Sequence, residues 1–172
     1  MLTNQNLLET LLLLHTLRPR AKFGFFGLPD CHCNRLASWG SPPCPGDGLP
    51  RCTAADEARN DKLSWLFKAS SALFPAIYVA WGSTYKFPPR TPRAVQSIVR
   101  EAVRARDRSA SSAPVLPVAW DSLDGGWKGP QSLIRDPGVL AAEFLSPAKA
   151  GADGLVVWGC GEETKLPAPA AA

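Results

Sequence analysis

Hydrophobic residues follow a helical period in some stretches of the chain and form short continuous runs in others. Leu7, Leu11 and Leu14 form one stripe of a predicted helix over residues 5–17, which ends before Pro19. The helical period predicts further helices at about 60–72 and over 91–108, and a weaker one within 131–150. Short apolar runs predict strands at 22–28, 74–80, 114–120 and 154–159. Helices and strands therefore alternate along the chain.

Strands that are apolar throughout and separated by helices are typical of a parallel sheet covered by helices. From this pattern alone, a small open α/β sheet is favoured over half of a (β/α)8 barrel, because 172 residues is short for a barrel. In both folds, ligands bind at the carboxyl ends of the strands. The aromatic and acidic residues predicted there are Asp30, Tyr78, Trp81, Trp120, Asp121, Trp158, Glu162 and Glu163. Aromatic rings in that position indicate platforms for sugar rings.

The composition is that of a globular protein, with 45% hydrophobic and 20% charged residues. The net charge of +4 involves no long cationic run, so a nucleic-acid partner is not indicated, whereas a polyanionic substrate is compatible. The leucine-rich stretch 7–17 does not resemble a signal peptide, because no basic residue precedes it and Glu9 interrupts it. It is also too short to span a membrane.

Four of the five cysteines are concentrated in a loop rich in proline and glycine: Cys31, Cys33, Cys44 and Cys52. This density is typical of proteins from an oxidising compartment. A zinc site built from these cysteines and His32 is a less favoured alternative, because their spacing is not that of a zinc finger. We therefore expect disulfides here, and we expect no metal or other cofactor.

Five segments resemble, in order, the hyaluronidase family. LLETLLLLHTLRPRAKFGFFGLPDC at 7–31 is similar to that family's helix, its Leu-Arg-Pro and its strand ending in Pro-Asp-Cys. RNDKLSWLFKASSALFPAIYV at 59–79 is similar to an Arg-Asn-Asp helix followed by a Pro-Ser-Ile-Tyr strand. The remaining segments are IVREAVR at 98–104, PVLPV at 114–118 and AGADGLVVWG at 150–159.

The resemblance changes the predicted fold from an open sheet to a partial (β/α)8-type barrel over residues 1–160. This part has about four βα units with parallel strands. Residues 161–172 are then a low-complexity tail. The implied activity is hydrolysis of β-1,4 bonds in hyaluronan or chondroitin with retention, in which the substrate's acetamido oxygen is the nucleophile. The family's acid and base lie in an Asp-x-Glu motif, and this motif occurs nowhere in the sequence. The chain alone is therefore expected to be inactive.

The resemblance also implies roles for individual residues. Asp30 corresponds to an active-site carboxylate that supports the site by hydrogen bonding. Tyr78 corresponds to a tyrosine that contacts the sugar beside the cleaved bond, and Trp158 to the tryptophan under the N-acetyl group. Phe26 and Val118 stand where the family carries tyrosine. At position 26 this substitution removes a hydroxyl that points at the reacting sugar.

For the cysteines, the resemblance implies a disulfide that clamps the loop after the Pro-Asp-Cys strand. Cys44 is the nearest match in spacing to the partner of Cys31, and Cys52 is the alternative. The implied compartment is extracellular or lysosomal, although the chain shows no signal peptide.

Two functions stay open at this point. The chain is either part of a hyaluronidase-type glycoside hydrolase or a non-catalytic remnant that binds glycans or another partner. The sequence features that separate them are the missing Asp-x-Glu and Phe26.

Overall fold

The computed structural model describes residues 4–31, 52–78, 90–120 and 137–158. Its helices are α1 (Asn4–Leu17), α2 (Ala54–Asp61), α3 (Ser64–Ala69), α4 (Arg90–Arg108), α5 (Pro137–Phe144) and α6 (Ser146–Lys149). Its two strands, β1 (Val118–Trp120) and β2 (Val156–Trp158), pair in parallel. Within the described ranges, no helix has both the length and the apolar content needed to cross a membrane.

Helices α1 and α4 agree with the helices predicted at 5–17 and 91–108, and α5 and α6 fall within 131–150. The single helix predicted at 60–72 is wrong, because two short helices, α2 and α3, occupy this part of the chain. Helix α2 begins after Thr53, whose hydroxyl accepts from the Asp56 backbone N–H while the Asp56 carboxylate accepts from the Thr53 N–H. This capping box satisfies the first free donors of the helix, so α2 begins before the predicted start at about residue 60.

Four extended segments lie side by side in the order in which they occur in the sequence. Residues 23–28 bridge residues 71–76, which bridge residues 115–118, and β1 pairs with β2. Backbone hydrogen bonds join each neighbouring pair, such as Gly27 N–H to the Phe74 carbonyl at 2.8 Å and Val156 N–H to the Pro117 carbonyl at 2.9 Å. The four predicted strands are thus neighbours, and β1–β2 is parallel as expected.

The main core lies between these segments and α4. Ile77 and Ala119 are fully buried against Val95, Ile98 and Val99 of the helix. The spacing of the helical residues places them on one face, while the sheet residues alternate between two faces. Residues 76, 78, 118 and 120 therefore point to the opposite side of the sheet, away from α4.

Strand β2 is exposed along its whole length, with Val157 at 53% and Trp158 at 54% of their full accessible surface. Because its neighbour on one side is β1, the other edge is open within the described part of the chain. An exposed parallel edge is a surface that other strands can pair with.

Gly24 allows residues 23–28 to approach the next segment closely. A Cβ at position 24 would meet the carbonyl oxygen of Ala72, which is backbone and cannot turn away. We expect Gly24→Ala to lower the free energy of unfolding by about 1–3 kcal/mol, as overpacking does in a tight interior. Urea denaturation checks this value.

Gly154→Ala is the matched control for that substitution. Its added methyl would meet only the end of the flexible Leu116 side chain, at 2.9 Å. We expect the smaller loss of stability here, and an equal loss at both positions would contradict the close approach at Gly24.

Candidate functional site

Four aromatic side chains lie at the carboxyl ends of the four neighbouring segments: Phe26, Tyr78, Trp120 and Trp158. We call them the aromatic row. The ring centroids of Phe26 and Tyr78 are 5.6 Å apart, and those of Tyr78 and Trp120 are 5.3 Å apart. Trp120 and Trp158 stack at 5.6 Å with an interplanar angle of 24°. The rings thus form one continuous surface, with contacts at the usual distances for aromatic pairs.

The sheet itself brings these rings together. Trp120 and Trp158 are register partners in the β1–β2 pair, and side chains of residues in register lie on the same face. Phe26 and Trp158, at the two ends of the row, are 59% and 54% exposed. A row that is stacked within itself and open to solvent provides a flat apolar surface for a ligand.

The sequence predicted three members of the row as site residues, namely Phe26, Tyr78 and Trp158. It also placed Trp120 at a strand end, but it gave this residue no role. In the structure, Trp120 lies in the middle of the row, in contact with Tyr78 and Trp158. Its Nε1 atom is buried and has no hydrogen-bond acceptor among the described residues.

Asp30 follows residues 23–28, and its main chain is held on both sides by one side chain. The Asn60 amide donates from Nδ2 to the Asp30 carbonyl at 2.9 Å, while Asn60 Oδ1 accepts from the Asp30 N–H at 3.3 Å. Asn60 therefore fixes the position of the main chain at this predicted site residue. The role of the Asp30 carboxylate toward a sugar stays a prediction.

Asn60 is itself held by a buried carboxylate. Glu101 of α4 is 3% exposed, and its Oε1 accepts from Asn60 Nδ2 at 2.7 Å. Arg104 donates to both Glu101 oxygens, at 2.6 Å and 2.8 Å, and also to Asp61 Oδ1 at 2.9 Å. The pKa of Arg104 is raised above its ordinary value, chiefly by the hydrogen bond to Glu101, although burial opposes this rise.

This Asn60–Glu101–Arg104 network connects the rear of the sheet to the loop that carries Asp30. No local sequence pattern predicts this network. A glutamate and an arginine three residues apart in an amphipathic helix indicate an exposed ion pair. The burial of Glu101 and its hydrogen bond to Asn60 depend on the tertiary fold, which brings α2 against α4.

The disulfide pairs Cys31 with Cys52, with a Cα–Cα distance of 4.9 Å. The preferred pairing of Cys31 with Cys44 is therefore wrong, and the alternative partner is the one observed. The cause is spatial: the Cys52 N–H donates to Ser97 Oγ of α4 at 2.7 Å, which places Cys52 beside the end of residues 23–31. Cys33 and Cys44 lie outside the described residues.

This disulfide closes a loop with a sequence separation of 21 residues. We expect Cys52→Ser to reduce the free energy of unfolding by about 2–4 kcal/mol, because the unfolded chain regains the entropy of that loop. Thermal denaturation with and without a reducing agent measures the loss. Cys44→Ser is the control: it should leave the Cys31–Cys52 bond intact by peptide mapping, and loss of that bond in this variant would contradict the pairing.

The adjacent carboxylates Asp56 and Glu57 do not form a catalytic pair. Asp56 is 1% exposed, caps α2 and forms an ion pair with Arg59. Its role is therefore structural. The other carboxylates considered, Asp121, Glu162 and Glu163, lie outside the described residues, as does the predicted tail at 161–172.

Comparison with known proteins places these observations in one family. The family model described as hyaluronidase matches residues 2–168. Human Hyaluronidase-3 is 35% identical over 159 residues, which cover 88% of this chain and 33% of that protein. The hyaluronidase of Polybia paulista is 31% identical over 155 residues, covering 88% of this chain and 47% of that protein. The chain thus spans less than half the length of these relatives.

Solved structures give the same result. Bee venom hyaluronidase superposes with a TM-score of 0.75 and 27% identity, covering 94% of this chain and 47% of that one. A second structure, bee venom hyaluronidase in complex with a hyaluronic acid tetramer, matches with a TM-score of 0.72 and 28% identity, covering 94% and 45%. The described fold is therefore similar to about half of that structure.

Proposed function

The chain belongs to the hyaluronidase family, and from this premise we propose that it forms the sugar-binding part of a glycoside hydrolase site and, alone, binds its substrate without cleaving it. The observation that carries the proposal is the aromatic row at the carboxyl ends of four neighbouring segments. Stacked rings with exposed faces suit the apolar faces of sugar rings. The relative solved with a hyaluronic acid tetramer supports hyaluronan as the ligand.

The reaction we propose for a complete site is cleavage of β-1,4 bonds in hyaluronan or chondroitin. The acetamido oxygen of the substrate attacks the anomeric carbon, so one protein carboxyl group serves as acid and then as base. In this arrangement, Tyr78 and Trp158 hold the sugar. Asp30, whose main chain is fixed through Asn60, supports the site by hydrogen bonding.

The chain does not contain the Asp-x-Glu motif that supplies the acid and base in the family. General acid–base catalysis contributes a factor of about 10²–10⁴ in rate, and a glycosidase without it loses its main chemical step. We infer that these carboxylates would come from sequence outside this chain. Phe26 weakens the site further, because it retains the ring of the family's tyrosine without the hydroxyl.

We place the protein in an extracellular or lysosomal setting. The Cys31–Cys52 disulfide supports an oxidising compartment, where such bonds persist. Several relatives are hyaluronidases of wasps and bees, one of them from bee venom.

A second candidate function is a non-catalytic glycan-binding or interaction protein. The exposed edge of β2 and the missing Asp-x-Glu favour it. A zymogram on hyaluronan separates the two: we expect no clearing by this chain, while an intact hyaluronidase clears the gel in the neighbouring lane. Clearing by the chain alone would sink the proposal that it lacks a functional acid and base.

Restoring the missing hydroxyl tests the role of position 26. We expect Phe26→Tyr to leave the isolated chain without hydrolytic activity, because a hydroxyl does not replace the acid. In a chimaera whose first half comes from a relative with Asp-x-Glu, the same change should raise kcat/KM about 2- to 10-fold, since one hydrogen bond contributes about 0.5–1.5 kcal/mol. Reducing-end assays measure both effects, and activity gained by the isolated chain would contradict this account.

A further inference from the structure

A cavity of about 560 Å³ lies on the outer side of α4, away from the aromatic row. Its lining includes Cys52, Glu57, Arg93, Gln96, Arg100 and Arg104, and no member of the aromatic row. We call it the arginine groove. Its volume is within the usual range of about 300–1,000 Å³ for ligand sites.

The arginines of α4 differ in how their charge is compensated. Arg104 is bound to Glu101 and Asp61, Arg106 to Asp107 and Asp153, and Arg108 to Asp61. Arg93 and Arg100 have no carboxylate partner in the part of the chain that the structure describes. The polar contact of Arg100 is with Gln96 Oε1, at 3.4 Å. Among the α4 arginines whose side chains the structure describes, the two without a carboxylate partner therefore both line the groove.

Their spacing suits a ligand with repeated charges. Arg93 and Arg100 are seven residues apart, which is about two helical turns and about 10 Å along α4. Gln96 lies between them, and because its Oε1 accepts from Arg100, its amide N–H groups are available as further donors. A guanidinium group binds a carboxylate through two parallel hydrogen bonds.

One carboxylate in the groove opposes such a ligand. Glu57 lines the cavity, and no ion pair is formed by its side chain among the described residues. Glu101, also in the lining, is compensated by Arg104. The uncompensated charge is therefore two guanidinium groups against one carboxylate, which leaves an excess of positive charge.

The groove is connected to the end of the sheet that carries the predicted sugar site. Cys52, in its lining, is bonded to Cys31, which directly follows Asp30. The Cys52 N–H donates to Ser97 Oγ, so the disulfide anchors this wall to α4. One disulfide therefore separates the lining of the groove from the residue that follows Asp30.

We propose that the arginine groove is a second contact site for an anionic glycan. It binds the uronate carboxylates of the part of the glycan that extends beyond the aromatic row. This inference rests on the proposed function for the identity of the glycan. A polymer with a carboxylate on every second sugar presents the repeated charge that two guanidinium groups two turns apart can bind. The contact depends on charge, whereas the aromatic row depends on ring faces.

The test is calorimetric titration of the whole chain with a hyaluronan decasaccharide and with the same oligosaccharide after reduction of its carboxyl groups to alcohols. We expect the double variant Arg93→Gln/Arg100→Gln to bind the native decasaccharide about 3- to 10-fold more weakly at low salt, because it removes two exposed ion pairs, each of which is weak. Its affinity for the carboxyl-reduced form should not change. Glu57→Gln should strengthen binding of the native form, because it removes the opposing charge.

The matched control is Lys68→Gln/Lys149→Gln, which removes the same charge from exposed positions outside the groove. A control that weakens binding as much as the arginine variant would overturn the proposal, as would a Glu57→Gln variant that binds more weakly. Failure of the aromatic site looks different. In that case, the carboxyl-reduced decasaccharide does not bind at all, while the native form still binds and still depends on Arg93 and Arg100.

Discussion

Trp158→Ala is expected to weaken the binding of a hyaluronan hexasaccharide by about 10- to 100-fold. Trp158 ends the aromatic row and is stacked on Trp120 at 5.6 Å, with 54% of its surface free to contact a ligand. Removing a large apolar contact of this kind costs about 1.5–3 kcal/mol, and each 1.4 kcal/mol is a factor of ten in affinity. Isothermal titration calorimetry measures the change.

The Trp158→Phe variant distinguishes the loss of a ligand contact from a loss of folding stability. It keeps a ring at the same position, so most of the affinity should remain, and the thermal midpoints of both variants should stay close to that of the unmodified chain because Trp158 is half exposed. Equal affinity of the alanine variant and the unmodified chain would show that Trp158 does not contact the ligand.

The largest loss of stability is expected from Arg104→Met. This change leaves the buried Glu101 carboxylate without the guanidinium that binds both of its oxygens. Breaking a buried ion pair by removing one partner costs about 3–5 kcal/mol, and the lower end applies here because the Arg104 side chain is 30% exposed. Urea denaturation of the variant gives the value directly.

The double variant Glu101→Leu/Arg104→Met tests the cause of that loss. Because it removes both charges, it should recover a substantial part of the stability lost in Arg104→Met alone. Asp61→Asn is the control for the other partner of Arg104; Asp61 is 29% exposed, so its effect should be below about 1 kcal/mol. Additive losses at 101 and 104 would mean that the two side chains are not coupled.

Much of the fold could be predicted from local patterns. Helices α1 and α4 have regular apolar stripes, and the apolar runs at 114–120 and 154–159 contain β1 and β2. Tyr78, Trp120 and Trp158 could be placed together as well, because parallel strands end at the same edge and bring their final side chains together. Phe26 was predicted as a site residue only through the resemblance to the hyaluronidase family.

The remaining features depend on contacts between distant residues. The Asn60 amide binds the Asp30 main chain and Glu101, which are distant in sequence. Helix α2 begins earlier than predicted, at the Thr53 capping box. The T-x-x-D pattern at 53–56 was a local signal for this start. The pairing of Cys31 with Cys52 depends on where Ser97 holds Cys52, and the number of residues between cysteines does not encode it.

The aromatic row and the missing Asp-x-Glu make opposite contributions to one site. In the proposed function, the row binds sugar rings, and the missing motif removes the proton donor that bond cleavage requires. In the further proposal, Arg93 and Arg100 add a contact that depends on charge. Binding and cleavage should therefore separate cleanly in this protein.

A proton NMR titration of a hyaluronan hexasaccharide with the purified chain measures both properties in one sample. The account predicts saturable broadening of the sugar signals, lost in Trp158→Ala, and no new reducing-end anomeric signals after prolonged incubation. New anomeric signals, or spectra that the protein leaves unchanged, would contradict the claim that this chain binds the glycan without cutting it.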